Sequence, residues 1–315
     1  MSVPLPTGEK LGRLAARMGG EVDAAVRERG VCRLVVPAED AAVDDLIVLT
    51  AARRVSEVLA SDAPVLCTPE LARRIPEGRR WIHGHVMWVV TQLVGEPANA
   101  PPGRARSAEI DPEAEVSSSA VVGRGAVVMA TAVVGPDCRV GENAVIYGNV
   151  RLGARVTVGP LAVIGRPGFG WTHSPEGKLV RVPQLGGVEV GDDVEIGPLC
   201  TVDAGTLAPT RLGPGVKLDA HVHVGHNVEL GAHTLVAGQA GFAGSAVIGE
   251  RTLVGGQAGV TDHAEVGAGA RIAAHSGVIG DVPAGAVVAG FPAVARVRWL
   301  RGMARLLDTT ARKKR

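Results

Sequence analysis

The chain has 315 residues, a formal net charge of +1, 43 glycines and only 3% aromatic residues. This length leaves room for a core and for two domains. The near-zero charge argues against a general nucleic-acid-binding protein, which would carry a basic excess. No apolar run reaches the roughly 18 residues that a membrane span requires, and the first ten residues lack the pattern of a signal peptide. We therefore expect a cytoplasmic protein without a transmembrane segment.

Residues 1–100 have the mixed pattern of a small α/β domain, which we interpret as nucleotide-binding-like. Apolar spacing predicts helices and short β-branched runs predict strands. The predicted helices cover 11–18, 55–60 and 86–94, and the predicted strands cover 33–37, 46–50 and 64–67. The Pro- and Gly-rich composition that follows predicts a linker, placed at 101–109.

From Ile110 an aliphatic residue or Phe recurs at every sixth position. Neither a 3.6-residue helix nor a two-residue strand alternation gives this period. It is the hexapeptide repeat of a parallel β-helix, in which three hexapeptides make one three-sided turn and each aliphatic side chain points inward. We predict this domain over 110–290. The clearest run is Leu212, Leu218, Val224, Leu230, Val236, Phe242, Ile248, Val254, Val260, Val266, Ile272 and Val278.

The repeat is interrupted by an insertion at 165–189, which contains Phe169 and Trp171 in a chain that is otherwise poor in aromatic residues. A second shift, of four residues, falls at 208–212. Insertions in a solenoid form loops on one face, and that face is often the binding face. We expect the 165–189 loop to lie over a site, although a solvated decoration is an equal alternative.

Residues 291–315 predict a basic C-terminal helix. Helical spacing allows Val294, Val297, Leu300 and Leu306 to face the body while the arginines face outward. An acidic partner could dock on these arginines; an ordinary solvated face is the alternative. The arginines are Arg296, Arg298, Arg301 and Arg305.

Six of the nine histidines fall between positions 221 and 275. His226 and His263 are separated by two turns plus one residue, which places them on the same side of the coil and on the order of 10 Å apart. This distance suits the two ends of a cleft better than a metal pair. A zinc site at His221, His223 and His226 is disfavoured because no Cys or Glu completes a tetrahedral set, so we expect no metal. The carboxylate of Asp219, just upstream, could fix the tautomer of an imidazole.

The chain resembles the UDP-3-O-acylglucosamine N-acyltransferase family of lipid A biosynthesis over about 110–295. The order of the motifs is more specific than the hexapeptide, which many acyltransferases share. The motifs are PGFGW at 167–171, VPQLG at 182–186, TVDAGTL at 201–207, LDAHVHVGHNVEL at 218–230, GFAGS at 241–245 and TDH at 261–263.

The resemblance implies a left-handed β-helix that forms a homotrimer with sites between subunits. It assigns His226 as the general base that takes a proton from the 2-amino group of a UDP-linked glucosamine. It assigns Asp219 as the residue that supports the imidazolium, and the Gly244 N–H as a donor to the oxyanion. The implied substrate- or donor-binding residues are Asn227, His263, His223, Phe169 and Trp171.

The acyl donor implied by the resemblance is acyl carrier protein. No tightly bound cofactor is implied, because the phosphopantetheine arrives on that carrier. Since the carrier is acidic, it fits the basic face at Arg296, Arg298 and Arg301.

The sequence departs from the family pattern at two places. The F-x-x-N-P-x-Y pattern that clasps uracil is replaced by IVLTAAR at 47–53, and the Gln often found three residues before the base is replaced by His223. These changes indicate a divergent member or a paralogue that acylates another amino sugar. The other open readings are an acetyl-CoA-dependent sugar acetyltransferase and a non-catalytic β-helix scaffold.

Overall fold

The computed structural model describes residues 2–37, 41–94, 103–105 and 107–312. Contacts within the chain divide it into two compact units, residues 1–99 and residues 100–315. The first unit is a small α/β domain and the second is a solenoid with a C-terminal helix.

The first unit is built on one six-stranded sheet. The strands are β1 (Ser2–Lys10), β2 (Glu21–Val22), β3 (Gly30–Val35), β4 (Asp45–Leu49), β5 (Val65–Cys67) and β6 (Arg80–Ile82). Their order in the sheet is β1-β3-β4-β5-β6-β2. Strands β3 to β6 run parallel to one another, and β1 and β2 pair antiparallel at the two edges. The helices are α1 (Leu11–Met18), α2 (Val55–Leu59), α3 (Pro69–Ala72) and α4 (Val86–Val94), with 3₁₀ turns at Ala24–Val26 and Ala52–Arg54.

The three predicted helices and three predicted strands of this unit are confirmed, with ends that differ by a few residues. Three strands were missed: β1, β2 and β6. β2 has only two residues, too few to show an alternation. β1 contains prolines and lies at the sheet edge, the position where a strand tolerates them.

The second unit is a parallel β-solenoid with three sheets, so the predicted left-handed β-helix fold is confirmed. The first sheet contains Gly103–Arg104, Val121–Val122, Arg139–Val140, Thr157–Val158, Glu195–Ile196, Lys217–Leu218, Leu235–Val236, Leu253–Val254, Arg271–Ile272, Val287–Ala289 and Val294–Ala295. The second contains Glu109–Ile110, Val127–Val128, Val145–Ile146, Val163–Pro167, Thr201–Ala204, His223–Val224, Gly241–Phe242, Gly259–Val260 and Gly277–Val278. The third contains Glu115–Val116, Val133–Val134, Val150–Leu152, Val188–Val190, Thr210–Leu212, Glu229–Leu230, Val247–Ile248 and Glu265–Val266.

The predicted aliphatic ladder lines the inside of this prism. Leu218 pairs with Val236 and Val236 with Val254, so each turn of the coil takes three hexapeptides. Val236 is 3% exposed, whereas the preceding Leu235 is 47% exposed on the outer face. The six-residue period therefore marks the side chains that are buried inside the coil, as the sequence predicted.

Both interruptions of the repeat keep the strands in register. Val163 pairs with Thr201 across the first insertion, and Thr201 pairs with His223 across the second. The first insertion adds a whole loop to its coil, whereas the second adds only a short turn. The loop forms a hairpin of Trp171–His173 and Leu179–Arg181, and the pairing register shifts between Ile164 and Arg166, where the loop begins.

The solenoid begins earlier than the sequence predicted. Gly103–Arg104 lies within the proposed linker at 101–109, yet it already pairs in parallel with Val121–Val122. Glu109–Ile110 likewise pairs with Val127–Val128. Residues 101, 102 and 106 of that segment lie outside the described residues.

The C-terminal helix α5 spans Arg296–Arg312, within the predicted 291–315. It begins after Val294–Ala295, which pairs antiparallel with Val288–Ala289; residues 313–315 lie outside the described residues. The prediction that Val297, Leu300 and Leu306 face the body is wrong, because each is at least 50% exposed. Trp299 makes the contact instead, since its indole lies where a side chain at Gly290 would be.

No helix among the described residues combines the length and apolar character needed to cross a membrane. The four cysteines are all free thiols, and Cys67, Cys138 and Cys200 are buried.

Candidate active site

His226 lies at the corner between the second and third sheets, two residues after the inward-pointing Val224. Its half-buried imidazole lies over Gly244, the residue one coil further along the same corner. A Cβ at Gly244 would be only 2.5 Å from Cε1 and 2.6 Å from Nε2 of His226. The ring can lie flat along the corner only because position 244 has no side chain.

Gly244 also carries a backbone N–H at this corner. None of the described residues accepts a backbone hydrogen bond from this N–H, whereas the neighbouring Ser245 N–H donates to the His226 carbonyl at 2.8 Å. A ring nitrogen and an unused backbone donor therefore lie side by side at one corner. This is the pairing that proton transfer and oxyanion stabilisation require.

Asn227 holds the other side of the ring. Its Nδ2 lies 3.0 Å from His226 Nδ1. Its Oδ1 accepts from the Thr206 N–H at 2.7 Å, and Nδ2 also donates to Thr206 Oγ1 at 3.1 Å. Because a backbone N–H only donates, this contact fixes the amide with its NH₂ group toward the imidazole.

The hydrogen bonds continue from Asn227 into the inserted loop. Thr206 Oγ1 donates to Gln184 Oε1 at 3.0 Å, and the Asn227 N–H donates to Thr210 Oγ1 at 2.9 Å. The VPQLG, TVDAGTL and GHN motifs, far apart in sequence, therefore meet in one network. Asn227 also has a positive φ of 58°, a left-handed conformation that Asn tolerates better than most residues.

The inserted loop covers this corner with its backbone. A Cβ at Gly168 would lie 3.0 Å from His226 Cβ and 3.1 Å from Asp203 Oδ2. Further out, Phe169 is 81% exposed, and the guanidinium of Arg181 lies 5.5 Å from the centroid of the Trp171 ring. Phe169 directly follows Gly168, whose backbone approaches His226, and is almost fully open; Trp171 lies in the hairpin beyond it.

A buried carboxylate, Asp203, lies beneath Gly168 and is 1% exposed. Its Oδ1 is 3.0 Å from Arg166 Nη2, and its Oδ2 is 3.9 Å from His223 Nε2. On the other side of that ring, His223 Nδ1 is 2.7 Å from Thr201 Oγ1. Burial raises the pKa of Asp203, against the opposing charge of Arg166. Burial also lowers the pKa of His223, and the charge of Asp203 opposes that change.

Asp219 lies at a different corner, between the first and second sheets. Its two oxygens accept from the Ala220 N–H at 2.7 Å and the Gly238 N–H at 3.0 Å. A full side of the prism separates it from His226, on the order of 15–20 Å at about 3.3 Å per residue. Within one chain the structure does not bring this predicted pair together.

His263 and the arginines occupy two further places. His263 is exposed at the same corner as Asn227, two coils on, and its N–H donates to the Gly244 carbonyl at 3.2 Å. Arg296, at the start of α5, lines a groove of about 600 Å³ on the outer face of the first sheet, together with Asp219. Arg298 and Arg301 are exposed on the same helix.

Sequence reasoning assigned no role to several residues of the site. Arg166, Gln184, Asp203 and Thr206 lie in or beside the insertion, where the six-residue register is lost. The signal for Gln184, Asp203 and Thr206 was their position in the motifs of the resemblance, whereas Arg166 lies just before PGFGW and outside those motifs. Among the described residues, no three His, Cys, Asp or Glu side chains group as a metal site would require.

Comparisons with known proteins match part of the chain. The family model for the bacterial transferase hexapeptide (six repeats) matches residues 131–166. UDP-3-O-acylglucosamine N-acyltransferase of Janthinobacterium sp. (strain Marseille) is 50% identical over 98 residues, 31% of this chain and 28% of that protein. The protein of that name from Coxiella burnetii (strain RSA 493 / Nine Mile phase I) is 50% identical over 95 residues, 30% of this chain and 28% of that protein.

Solved structures share the solenoid. UDP-N-acetylglucosamine O-acyltransferase (LpxA) from Moraxella catarrhalis RH4 aligns with a TM-score of 0.57 and 26% identity over 61% of this chain and 73% of that one. LpxA from Acinetobacter baumannii aligns with a TM-score of 0.56 over 64% of this chain and 77% of that one, and at 24% identity it shows the fold alone. The matches span less than a third of the length of the curated relatives. Over that part, the resemblance to UDP-3-O-acylglucosamine N-acyltransferases is confirmed.

Proposed function

We propose that this protein is an N-acyltransferase that moves an acyl chain from a thioester to the 2-amino group of a UDP-linked acylated glucosamine. The observation that carries the proposal is the His226 ring lying against Gly244, whose N–H is unused among the described residues. The names of the relatives at 50% identity support the substrate class.

In the proposed reaction the amine nitrogen attacks the thioester carbonyl carbon. The new C–N bond forms and the C–S bond breaks, while His226 takes the amine proton and returns a proton to the departing thiolate. The Gly244 N–H donates to the carbonyl oxygen as its negative charge develops. No atom is oxidised or reduced, so the reaction needs no redox cofactor.

The contact between Asn227 and Nδ1 favours a neutral ring that carries its proton on Nε2. To accept a proton at Nε2, the ring must instead carry its own proton on Nδ1, beside an acceptor. Asp219 of the same chain lies a full side away. We therefore propose a homotrimer in which this carboxylate serves the His226 of a neighbouring copy. The 47% exposed Leu235, in the groove beside Asp219, supports a contact between copies there.

Acyl carrier protein is the donor that we propose, with its thioester on phosphopantetheine. The exposed Arg296, Arg298 and Arg301 of α5 would bind the acidic carrier. The amino sugar and the thioester would lie along the corner that holds Asn227, His223 and His263, beneath Phe169 and Trp171.

The proposal is tested by incubating the protein with a hydroxyacyl carrier protein and a panel of UDP-amino sugars while the release of free thiol is followed. We expect His226→Ala to lower turnover by about three orders of magnitude, with an unchanged melting temperature because the residue is not in the core. His233→Ala is the matched control, since His233 is an exposed histidine at the corner between the third and first sheets. Near-normal turnover by His226→Ala would remove it from the base role.

A further inference from the structure

Asp203 is a buried carboxylate to which the proposed chemistry assigns no part. It is 1% exposed, in a chain where carboxylates mostly lie on the outer faces. Taking an ionised carboxylate out of water is costly unless charges and donors compensate for it. Yet Asp203 Oδ1 accepts no well-aligned hydrogen bond from the described residues, so its compensation is mainly electrostatic.

The compensating charges come from the two neighbouring coils. Arg166, from the strand of the preceding coil, is paired with Asp203 in the sheet register and lies 3.0 Å from its Oδ1. His223, from the following coil, lies 3.9 Å from Oδ2. His226, at the corner beyond, is the other titratable group whose charge acts on Asp203.

Gly168 joins this buried carboxylate to the candidate base. A Cβ at Gly168 would lie 3.1 Å from Asp203 Oδ2 and 3.0 Å from His226 Cβ. The loop backbone therefore approaches the carboxylate and the histidine at the same point. Because Asp203 is only 1% exposed, its charge is weakly screened by solvent.

We propose that Asp203 is the positioning carboxylate of this site. It holds the side chains of Arg166 and His223, one at each of its oxygens, and sets the net charge beside His226. Asp203 itself touches no reacting atom. The inference rests on the proposed function only for its effect on catalysis, because the arrangement of charges is measurable without substrate.

The proposal is tested by substitutions of Asp203 and Arg166, which should shift the pKa of His223 in opposite directions. Asp203→Asn removes a negative charge and leaves Arg166 unpaired, so the pKa of His223 falls further. Arg166→Gln removes the positive charge and leaves the carboxylate, so the pKa of His223 rises. A side chain that merely supported the fold would not give shifts of opposite direction.

The experiment follows the histidine ring signals of the full-length protein by NMR over a pH titration, in both variants and in Arg166→Gln/Asp203→Asn. We expect the double variant to fall between the two single variants. The activity profile should follow the same signs: the acid limb moves to lower pH in Asp203→Asn, since His223 stays neutral to lower pH, and to higher pH in Arg166→Gln.

Arg155 and Asp193 provide a matched control, because they form an exposed Arg–Asp pair at another corner of the solenoid, with 2.6 Å between Nε and Oδ1. Asp193→Asn and Arg155→Gln should leave the pKa of His223 in place. Shifts in the same direction in both site variants, no shift in either, or equal shifts in the controls would overturn the proposal. Inactivity of the intact protein on every amino sugar, with the opposite shifts present, would count against the proposed function alone.

Discussion

The candidate site depends on residues that lack side chains as much as on those that have them. Gly244 lets the His226 ring lie along the corner, and Gly168 lets the inserted loop close over it. Other outward glycines on the second sheet, such as Gly259, face open space. Some glycines of this solenoid therefore leave room for another residue, whereas others face open space. Only the contacts distinguish the two kinds.

This difference predicts the effect of one methyl group. Gly244→Ala places a Cβ within 2.6 Å of His226 Nε2 and must displace the ring. A displacement of about 1 Å at a reacting group costs about 100-fold in rate, so we expect a loss of that order in turnover. Gly259→Ala meets no atom within 4 Å and is the control. Equal activity of the two alanine variants in the thiol-release assay would contradict the ring position.

At the scale of elements, the inserted loop and helix α5 extend the solenoid in different ways. The loop crosses the His226 corner and bonds to it through Gln184. The helix attaches through Trp299 and presents its arginines outward. In the proposed function the loop would shape the site, and the helix would recognise a partner.

The helix is tested by charge reversal. The triple variant Arg296→Glu, Arg298→Glu and Arg301→Glu should raise KM for an acyl carrier protein by at least about tenfold, because it places acidic groups opposite an acidic partner. The same variant should use a small acyl thioester at a nearly normal rate. Equal losses with both donors would show that the helix only supports the structure.

At the scale of the whole molecule, stability depends on the continuous aliphatic ladder inside the prism. Each coil covers the next, so one charged residue in the ladder affects both neighbouring coils. Val236 lies between Leu218 and Val254 in this stack.

Val236→Asp should therefore destabilise the solenoid by about 4 kcal/mol or more, since it buries an unpaired carboxylate. Val247→Asp, at an exposed valine on the outer face of the third sheet, should cost far less. Thermal unfolding followed by circular dichroism compares them. A normal melting temperature for Val236→Asp would mean that the register of the ladder is wrong.

The sequence by itself determined the solenoid. The six-residue period recurs from Ile110 to Val278, on both sides of the insertions, because every sixth side chain must fit the same narrow interior. The spacing of the aliphatic residues therefore identifies the buried side chains directly. It also singled out Gly-His-Asn at 225–227, which lies at a corner and within the 218–230 motif of the resemblance.

Only the tertiary structure decided which polar residues meet. Asp219 is close to His226 in sequence but lies at another corner, while Asp203, much further away along the chain, lies beneath the same loop glycine as His226. Spacing within a coil fixes which corner a residue occupies. An insertion interrupts the six-residue spacing. Contacts across 165–189 therefore depend on how the loop folds back, which the repeat does not predict.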